Sequence, residues 1–461
     1  MSVNTENTRS TSPALVALGL AALLAVLDGT VVAVALNPLA RAFDAPLTTI
    51  VWVTIGYLLA VASVLPLLGW AAARFGGRAV FLAGLALFVL GSALSAAAWS
   101  AGSLIAFRVL QGLGGGLLEP MSLALAAGLA GRDRVGKVLG TMSMIINVAP
   151  VLGPILGGLV LGTGHWRWIF LMNVPLGLGV LIAALAFVPA DRAGAEAADR
   201  PAADVRGLLL LTGGYLAVLF ALNRSGSDGA GAVIAGTALV GVLLLIAYAR
   251  HALTTRTAPA LDLRLLRRPG FAAALVVMGF VGFIMYAQLI ALPIVGADRD
   301  VAPGLLVCAL GLGLVVSMSL GGRISDRTGP RPLVRAGAAV AASGFLVAAL
   351  TVDRLPWPAL FAGFVVIGLG FGATASPTFA SVYRTLPVAE QAQGTTALFM
   401  TVQLAASLGV TVLALMRART PEHWVTVLFL VLTACALAVL GLARALPGRA
   451  LSPPAGRSPA S

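Results

Sequence analysis

The chain has few charged residues for its length of 461. Lysine, arginine, aspartate and glutamate make up 10% of it, whereas hydrophobic residues make up 59%. The mean hydropathy is +1.00. A soluble domain carries about 25% charged residues. A chain this poor in charge cannot cover a globular surface with polar groups, so we expect most of its surface to face lipid.

Sequence patterns for catalysis and cofactor binding are also lacking. The two cysteines, Cys308 and Cys435, lie in apolar stretches, which excludes a disulfide framework and predicts small core residues. The three histidines are scattered, and there is no metal-ligand cluster or catalytic triad. The run Gly114–Gly116 is not followed by the Lys-Ser/Thr of a phosphate loop. We therefore expect no enzyme, no metal, no cofactor and no ATP-driven pump.

Long apolar stretches account for most of the sequence. A helix needs roughly 20 apolar residues to span a bilayer, and we place fourteen such spans. The first is longer than the apolar core of a signal peptide and similar stretches follow it, so we expect it to be retained. The seventh is interrupted by Gly213–Gly214. The spans are expected near 13–37, 48–70, 79–98, 103–128, 136–162, 167–189, 207–223, 230–249, 270–295, 303–321, 333–351, 357–380, 393–416 and 424–445.

Basic residues are distributed unevenly between the loops at the two ends of these spans. With the N-terminus placed in the cytoplasm, 22 of the 30 lysines and arginines fall in cytoplasmic segments, 7 fall in external ones, and Arg108 lies inside a span. Cytoplasmic loops of membrane proteins carry such an excess. The asymmetry predicts that both termini are cytoplasmic. It also accounts for the net charge of +13 without a nucleic-acid partner.

One loop occurs twice, 253 residues apart. Eight expected spans separate the two copies, which indicates two related six-span halves with two further spans inserted between them. Repeats of this kind are one of the known transporter architectures. We expect an N-terminal bundle at 1–190, a cytoplasmic linker at 191–206, two inserted helices at 207–250 and a C-terminal bundle with a short cytoplasmic tail at 251–461. The copies are Gly69-x-x-x-Ala73-Arg74-x-Gly76-x-Arg78 and Gly322-x-x-x-Asp326-Arg327-x-Gly329-x-Arg331.

Further motifs follow one another in five of the first six spans. Together with the repeat loops they resemble the major facilitator superfamily, and within it the branch of fourteen-helix drug:proton antiporters. The resemblance covers nearly the whole chain. The residues that carry it are Leu27-Asp28-Gly29-Thr30 in the first span, Trp52 and Tyr57 in the second, Arg108, Gln111 and Gly112 in the fourth, Ala149, Gly153, Pro154, Gly157 and Gly158 in the fifth, and Trp166-Arg167-Trp168 with Asn173 and Pro175 in the sixth.

The resemblance implies an all-α membrane protein with the major facilitator fold, two six-helix bundles plus two inserted helices. It implies a monomer in a bacterial cytoplasmic membrane that exports drugs, antibiotics or similar small molecules in exchange for protons, by alternating access. Two other functions stay open, namely proton-linked uptake of a nutrient and a membrane sensor that transports nothing.

The sequence departs from the family pattern at two positions. The first repeat loop has Ala73 where the family usually has aspartate, whereas the second copy keeps the acid as Asp326. Such an acid can lie near a helix N-terminus and pair with arginine, which stabilises one conformation. We therefore expect an asymmetric latch. The first glycine of the fifth-span motif is replaced by Ala149, which still permits close packing.

Three charged residues fall within the expected spans away from the span ends: Asp28, Arg108 and Glu119. An isolated charge in a membrane costs at least a few kcal/mol, so such residues usually face a cavity. Asp28 lies some ~22 Å along the first, outward-running helix, and Arg108 lies ~8 Å along the inward-running fourth, so the two are at similar depth. We expect Arg108, Gln111 and Glu119 to line one wet surface. We expect at least one of Asp28 and Glu119 to carry the proton, with Arg108 tuning the pKa of the acids. The alternative is that Arg108 and an acid form a pair that only locks helices.

Other polar and aromatic residues of the spans are candidates for substrate contact or for helix bridging. They are Trp52, Tyr57, Gln111, Asn147, Tyr286, Gln288 and Gln403. A cavity with two acids and one arginine would weakly favour cations. The residues expected to control the conformational change are Gly69, Arg74, Gly76, Arg78, Gly322, Asp326, Arg327, Gly329, Arg331, Gly153, Pro154, Gly157 and Gly158.

Overall fold

The computed structural model describes residues 6–130, 134–162, 164–190, 204–224, 231–255, 259–268, 270–299, 304–352 and 354–447. These residues form helices and loops, with no strand among them. Two short 3₁₀ turns, Leu263–Arg267 and Ala443–Ala445, follow α11 and α17. The helices are α1 Glu6–Ala42, α2 Leu47–Ile50, α3 Trp52–Phe75, α4 Gly77–Ala96, α5 Ala101–Ala130, α6 Val135–Asn147, α7 Ala149–Gly162, α8 Trp168–Leu171, α9 Asn173–Phe187, α10 Val205–Arg224, α11 Gly231–Thr254, α12 Phe271–Ala297, α13 Leu305–Thr328, α14 Pro330–Thr351, α15 Trp357–Thr385, α16 Val388–Arg419 and α17 Trp424–Leu442.

Thirteen stretches of the described chain are helical, long and apolar enough to cross a membrane. They coincide with thirteen of the fourteen expected spans. The fifth expected span is divided at Val148 between α6 and α7, which have 13 and 14 residues. Pro150 has no backbone N–H to donate to the carbonyl of Ile146, which disfavours an unbroken helix here. The seventh span, α10, continues through Gly213 and Gly214 without interruption.

The spans pack into two bundles of six with a pair between them. In the N-terminal bundle α1 packs on α5, α7 and α9, and α4 packs on α5 and α9. In the C-terminal bundle α13 packs on α15, α14 on α15 and α17, and α12 on α16. The bundles meet where α3 lies along α16 and where α6 lies along α13 and α15. The expected all-α architecture of two six-helix bundles with two inserted helices is therefore present.

The inserted pair lies beside one of these two seams. Helix α10 packs on α3 and α16, while α11 packs mainly on α10 and is otherwise exposed. At its start, Asp204 caps α10 through the N–H of Gly207 and pairs with His251 of α11. Most of the expected linker at 191–206, and the end of the C-terminal tail, lie outside the described residues.

The two repeat loops have the same backbone conformation. Gly76 has φ 89° and ψ 148°, and Gly329 has φ 81° and ψ 167°. These positive φ angles strain an L-residue with a side chain, so glycine is required at both turns. In each copy this glycine ends one helix and begins the next, α3 to α4 and α13 to α14. We call this end of the molecule, which carries Arg74, Arg78, Arg323, Arg327 and Arg331, the basic end.

Candidate functional site

An ion pair lies inside the N-terminal bundle. Arg108 of α5 donates a hydrogen bond to Asp28 of α1, and both side chains are completely enclosed. The Nε of Arg108 donates to the carbonyl of Val53 on α3 at 3.3 Å. The ring of Tyr57 lies 4.1 Å from the guanidinium carbon, which adds a cation–π contact. The two helices thus bring together the acid and the arginine that the sequence placed at similar depth.

Two amides and a serine surround this pair. Gln111 donates to Asp28 at 3.0 Å and to Ser92 at 2.6 Å. Its oxygen accepts a hydrogen bond from Arg108 at 2.7 Å. Asn173 of α9 donates to Asp28 at 2.7 Å. Sequence reasoning noted Asn173 only as part of a motif and missed Ser92, although a lone asparagine in an apolar span is a usable signal for a buried polar network.

The structure separates residues that the sequence had placed on one wet surface. Arg108 and Gln111 have no exposed surface, because α1, α3, α4 and α9 enclose them. Glu119 lies eleven residues further along α5 and is only half-buried. The expected surface shared by the three residues is therefore wrong for this conformation.

Glu119 stands apart from the ion pair. Its carboxylate has no hydrogen-bond or ion-pair partner within the described part of the chain. The structure thus leaves a carboxylate on α5 outside the enclosed network around Asp28.

A cavity between the bundles contains two of the other predicted residues. Asn147 reaches it from α6 and Gln288 from α12. Asn147 donates to the carbonyl of Ser143 at 2.8 Å and contacts the sulfur of Met318 at 3.5 Å. The rest of the lining is uncharged: Met285, Leu289, Val307, Leu310, Gly311, Leu314 and Phe371. The remaining candidates lie elsewhere: Trp52 and Tyr286 are each 36% exposed, and Gln403 is half-buried on α16.

At the basic end, Asp326 connects the two bundles. Its Oδ1 accepts the N–H of Gly136 at 2.9 Å and its Oδ2 accepts the N–H of Lys137 at 2.8 Å, both in the first turn of α6. Arg384 of α15 pairs with the same carboxylate. An acid at a helix N-terminus meets both free N–H groups and the positive end of the helix dipole. This contact closes the basic end between α6 and α13.

Glycines allow the two helices to approach at this contact. A Cβ at Gly322 would lie 2.1 Å from the carbonyl oxygen of Gly136, and one at Gly140 would lie 2.6 Å from that of Met318. Only residues without a Cβ fit such a backbone contact. Gly322 was selected from the repeat motif, whereas Gly136 and Gly140 were missed. Their spacing of four on α6 was the available signal.

The other motif residues have structural contacts. A Cβ on Gly153 would lie 2.0 Å from the Oγ1 of Thr30, which itself lies 3.3 Å from the carbonyl of Ala149. Gly157 is buried, whereas a Cβ at Gly158 would meet open space. Helices α1 and α7 therefore pack closely at Gly153. Of the remaining motif residues, Pro154 lies in α7, Arg74 is half-buried and Arg327 is exposed.

Within the described residues, no group of three or more histidine, cysteine or acidic side chains forms a metal site.

The family model described as "Major Facilitator Superfamily" matches residues 18–410 and 302–460. A multidrug resistance protein B homolog of Mycobacterium tuberculosis is 34% identical over 405 residues, which is 86% of this chain and 74% of that protein. The tetracenomycin C resistance and export protein of Streptomyces glaucescens is 30% identical over 365 residues, 78% of this chain and 67% of that protein.

Solved structures support the same fold. The proton:xylose symporter XylE aligns with a TM-score of 0.69 at 16% identity and covers 96% of this chain and 97% of its own. The human organic anion transporter MFSD10 aligns with a TM-score of 0.66 at 16% identity, over 94% and 99%. The chain therefore belongs to the major facilitator superfamily, and is a multi-pass membrane transporter and not an enzyme.

Proposed function

We propose that this transporter is a proton-coupled exporter of drugs, antibiotics or similar small molecules, in the fourteen-helix drug:proton antiporter branch. In this proposal it acts as a monomer in a bacterial cytoplasmic membrane. Its basic end and both termini face the cytoplasm, in accord with the excess of arginine in the loops at that end. During transport its two six-helix bundles separate first at one end of the molecule and then at the other.

The observation that carries the proposal is the Glu119 carboxylate. Proton exchange needs a group that gains and loses its charge as access alternates, and such groups in membranes usually face a cavity. Glu119 is half-buried on α5, and its carboxylate has no hydrogen-bond or ion-pair partner among the described residues. Asp28 instead accepts hydrogen bonds from three enclosed side chains. We therefore assign the proton to Glu119 and a helix-locking role to Asp28 and Arg108.

The named relatives support the substrate class. One is a multidrug resistance protein B homolog, one a tetracenomycin C resistance and export protein, and a third is the methylenomycin A resistance protein of Bacillus subtilis. The third is 34% identical over 61% of this chain and 59% of its own length. All three names refer to resistance to antibiotics or drugs, and that of the tetracenomycin C protein also refers to export.

The test is efflux from proteoliposomes under an imposed pH gradient, with a substrate found by growth inhibition in a pump-deficient bacterium. We expect Glu119→Gln to abolish gradient-driven efflux and to keep exchange of substrate across the membrane. Asp28→Asn alone strands a buried arginine, which is strongly destabilising, whereas Asp28→Asn with Arg108→Gln removes both charges and should recover folding. Wild-type uphill efflux by Glu119→Gln would show that the proton uses another route.

Proton-linked uptake of a nutrient is the rival within transport. Everted vesicles distinguish export from uptake. When substrate is added outside, an exporter carries it into the vesicle and releases protons from the lumen, whereas an uptake system moves proton and substrate in the same direction. A sensor that transports nothing would show no movement of any substrate by purified protein in liposomes.

A further inference from the structure

Gln288 leaves a buried hydrogen-bond acceptor without a partner. The side chain is completely buried on α12. Its Nε2 donates to the carbonyl of Ile284 on its own helix at 3.2 Å, while its Oε1 has no partner among the described residues. An unsatisfied buried polar group costs about 1–3 kcal/mol. Because this unpaired oxygen belongs to a residue that lines the cavity between the bundles, a ligand in that cavity is a candidate to donate the missing hydrogen bond.

The cavity beside Gln288 contains no ionisable residue. Asn147 from the opposite bundle is the other amide in its lining, and the remaining residues are apolar. An ion moved from water into such surroundings loses hydration that nothing here replaces. The cavity therefore disfavours a charged group and favours an apolar one that carries a hydrogen-bond donor. The acids that made a cationic substrate attractive from sequence, Asp28 and Glu119, are not in this lining.

We propose that this cavity binds the uncharged, apolar end of the exported molecule, and that Gln288 accepts a hydrogen bond from a hydroxyl or N–H donor on it. The proposal rests on the export function above and specifies its substrate class. In this conformation the cavity volume is about 30 Å³, so the cavity admits one end of a molecule and not a whole drug. Parting of the bundles would widen it, since Asn147 and Gln288 lie on opposite sides.

The test uses purified wild-type protein and three probes of similar size: 2-naphthol, its methyl ether 2-methoxynaphthalene, and the cation trimethyl(2-naphthyl)ammonium. Binding is measured by calorimetry in detergent. One hydrogen bond to a group otherwise left unpaired predicts that naphthol binds about tenfold more tightly than the ether. Both should bind more tightly than the cation. In Gln288→Leu the difference between naphthol and ether should disappear, whereas Gln288→Glu keeps a carbonyl acceptor and should retain it.

Thermal unfolding of the purified variants serves as the control for a change in folding. Because Gln288→Leu removes an unpaired acceptor, it should leave the melting temperature unchanged or raise it, whereas a purely structural glutamine would lower it. Thr401→Val is the control, since Thr401 donates to Ala397 on its own helix and lies outside the cavity lining. A wild type that binds no probe or prefers the cation, or a naphthol preference that survives in Gln288→Leu, would overturn the proposal. These binding results do not depend on whether the protein exports or couples to protons.

Discussion

The two repeat loops share a backbone and differ in how they connect the bundles. In both, a glycine with positive φ links two helices, and the arginine two residues later donates to a distant carbonyl: Arg78 to Leu185 at 2.7 Å, and Arg331 to Leu446. In the second copy Asp326 ties α13 to the first turn of α6. In the first copy Ala73 provides no such group. The part of the motif from the turn glycine to the following arginine therefore makes the same kind of contact in both copies. The part that contains position 73 or 326 does not.

The first copy meets the opposite bundle by side-chain packing instead. A Cβ at Gly69 would lie 3.1 Å from the Cγ of Gln393 on α16, and Gln393 itself accepts the N–H of Asp262. The N-terminus of α16 has its own acid, Glu390, in its first turn, and that acid pairs with Arg268. The α6–α13 seam is therefore closed by a charged side chain and by close backbone contact. The α3–α16 seam is closed by the packing of side chains.

The largest expected effect comes from the first glycine of each copy. Gly322→Ala places a methyl group 2.1 Å from the backbone oxygen of Gly136, which neither helix can avoid without separating. We expect this variant to hold the basic end open and to lose nearly all transport. Gly69→Ala, the matched change, meets the Cγ of Gln393 at 3.1 Å and its Cα at 3.3 Å, contacts that a shift of a few tenths of an ångström relieves, so it should retain most transport. Spin labels at Gly128 on α5 and Thr328 on α13 would report a longer distance in Gly322→Ala alone. Equal activity of the two variants would contradict the difference between the seams.

Asp326→Asn should have the next largest effect. It removes the charge that faces the first turn of α6 and that pairs with Arg384. Charge-assisted hydrogen bonds contribute about 2 kcal/mol, so closure of the basic end should become roughly 30-fold less favourable. Transport should fall while the amount of folded protein in the membrane stays the same. The same spin-label pair measures the shift, and a distance distribution like that of the wild type would contradict the latch.

The symmetric part of the motif predicts equal and smaller effects. Arg78→Gln and Arg331→Gln remove the hydrogen bonds that these arginines donate to the carbonyls of Leu185 and Leu446. Each should lower the melting temperature slightly and by a similar amount, with transport reduced less than twofold. Thermal unfolding of the two purified variants checks this. A much larger loss in one of them would show that the symmetry does not extend to these arginines.

Much of the fold follows from sequence because the membrane restricts it. Apolar length placed thirteen spans correctly, since a spanning helix must satisfy its own backbone. The break at Val148 was not predicted, although Pro150, which has no backbone N–H to donate, was the available signal. The duplicated loop predicted two halves, and the backbone at Gly76 and Gly329 agrees with it.

The site was less predictable. Depth along the helices correctly paired Asp28 with Arg108, because rise per residue fixes height. Depth gives no rotation or tilt, so it could not show that Arg108 and Gln111 are enclosed while Glu119 is not. The close approach of Gly136 and Gly322 joins residues of different bundles. One helix pattern cannot specify its partner across a seam, which is why Gly136 was missed.

Ala73→Asp is expected to change least, because Glu390 already supplies an acid at the N-terminus of α16. Ala73 lies one turn beyond Gly69 on α3, and Glu390 one turn before Gln393 on α16, so both positions lie about one turn nearer the basic end than the Gly69–Gln393 contact. A second carboxylate there gains the helix dipole but is repelled by Glu390. Transport should stay within twofold of the wild type. We expect Glu390→Gln to lower transport, and in that background Ala73→Asp should restore part of the loss. Glu390→Gln alone provides the baseline, measured by proteoliposome efflux at equal protein density. If Ala73→Asp stimulates transport strongly while Glu390 is present, the first seam lacks an acid and Glu390 does not replace the one at position 73.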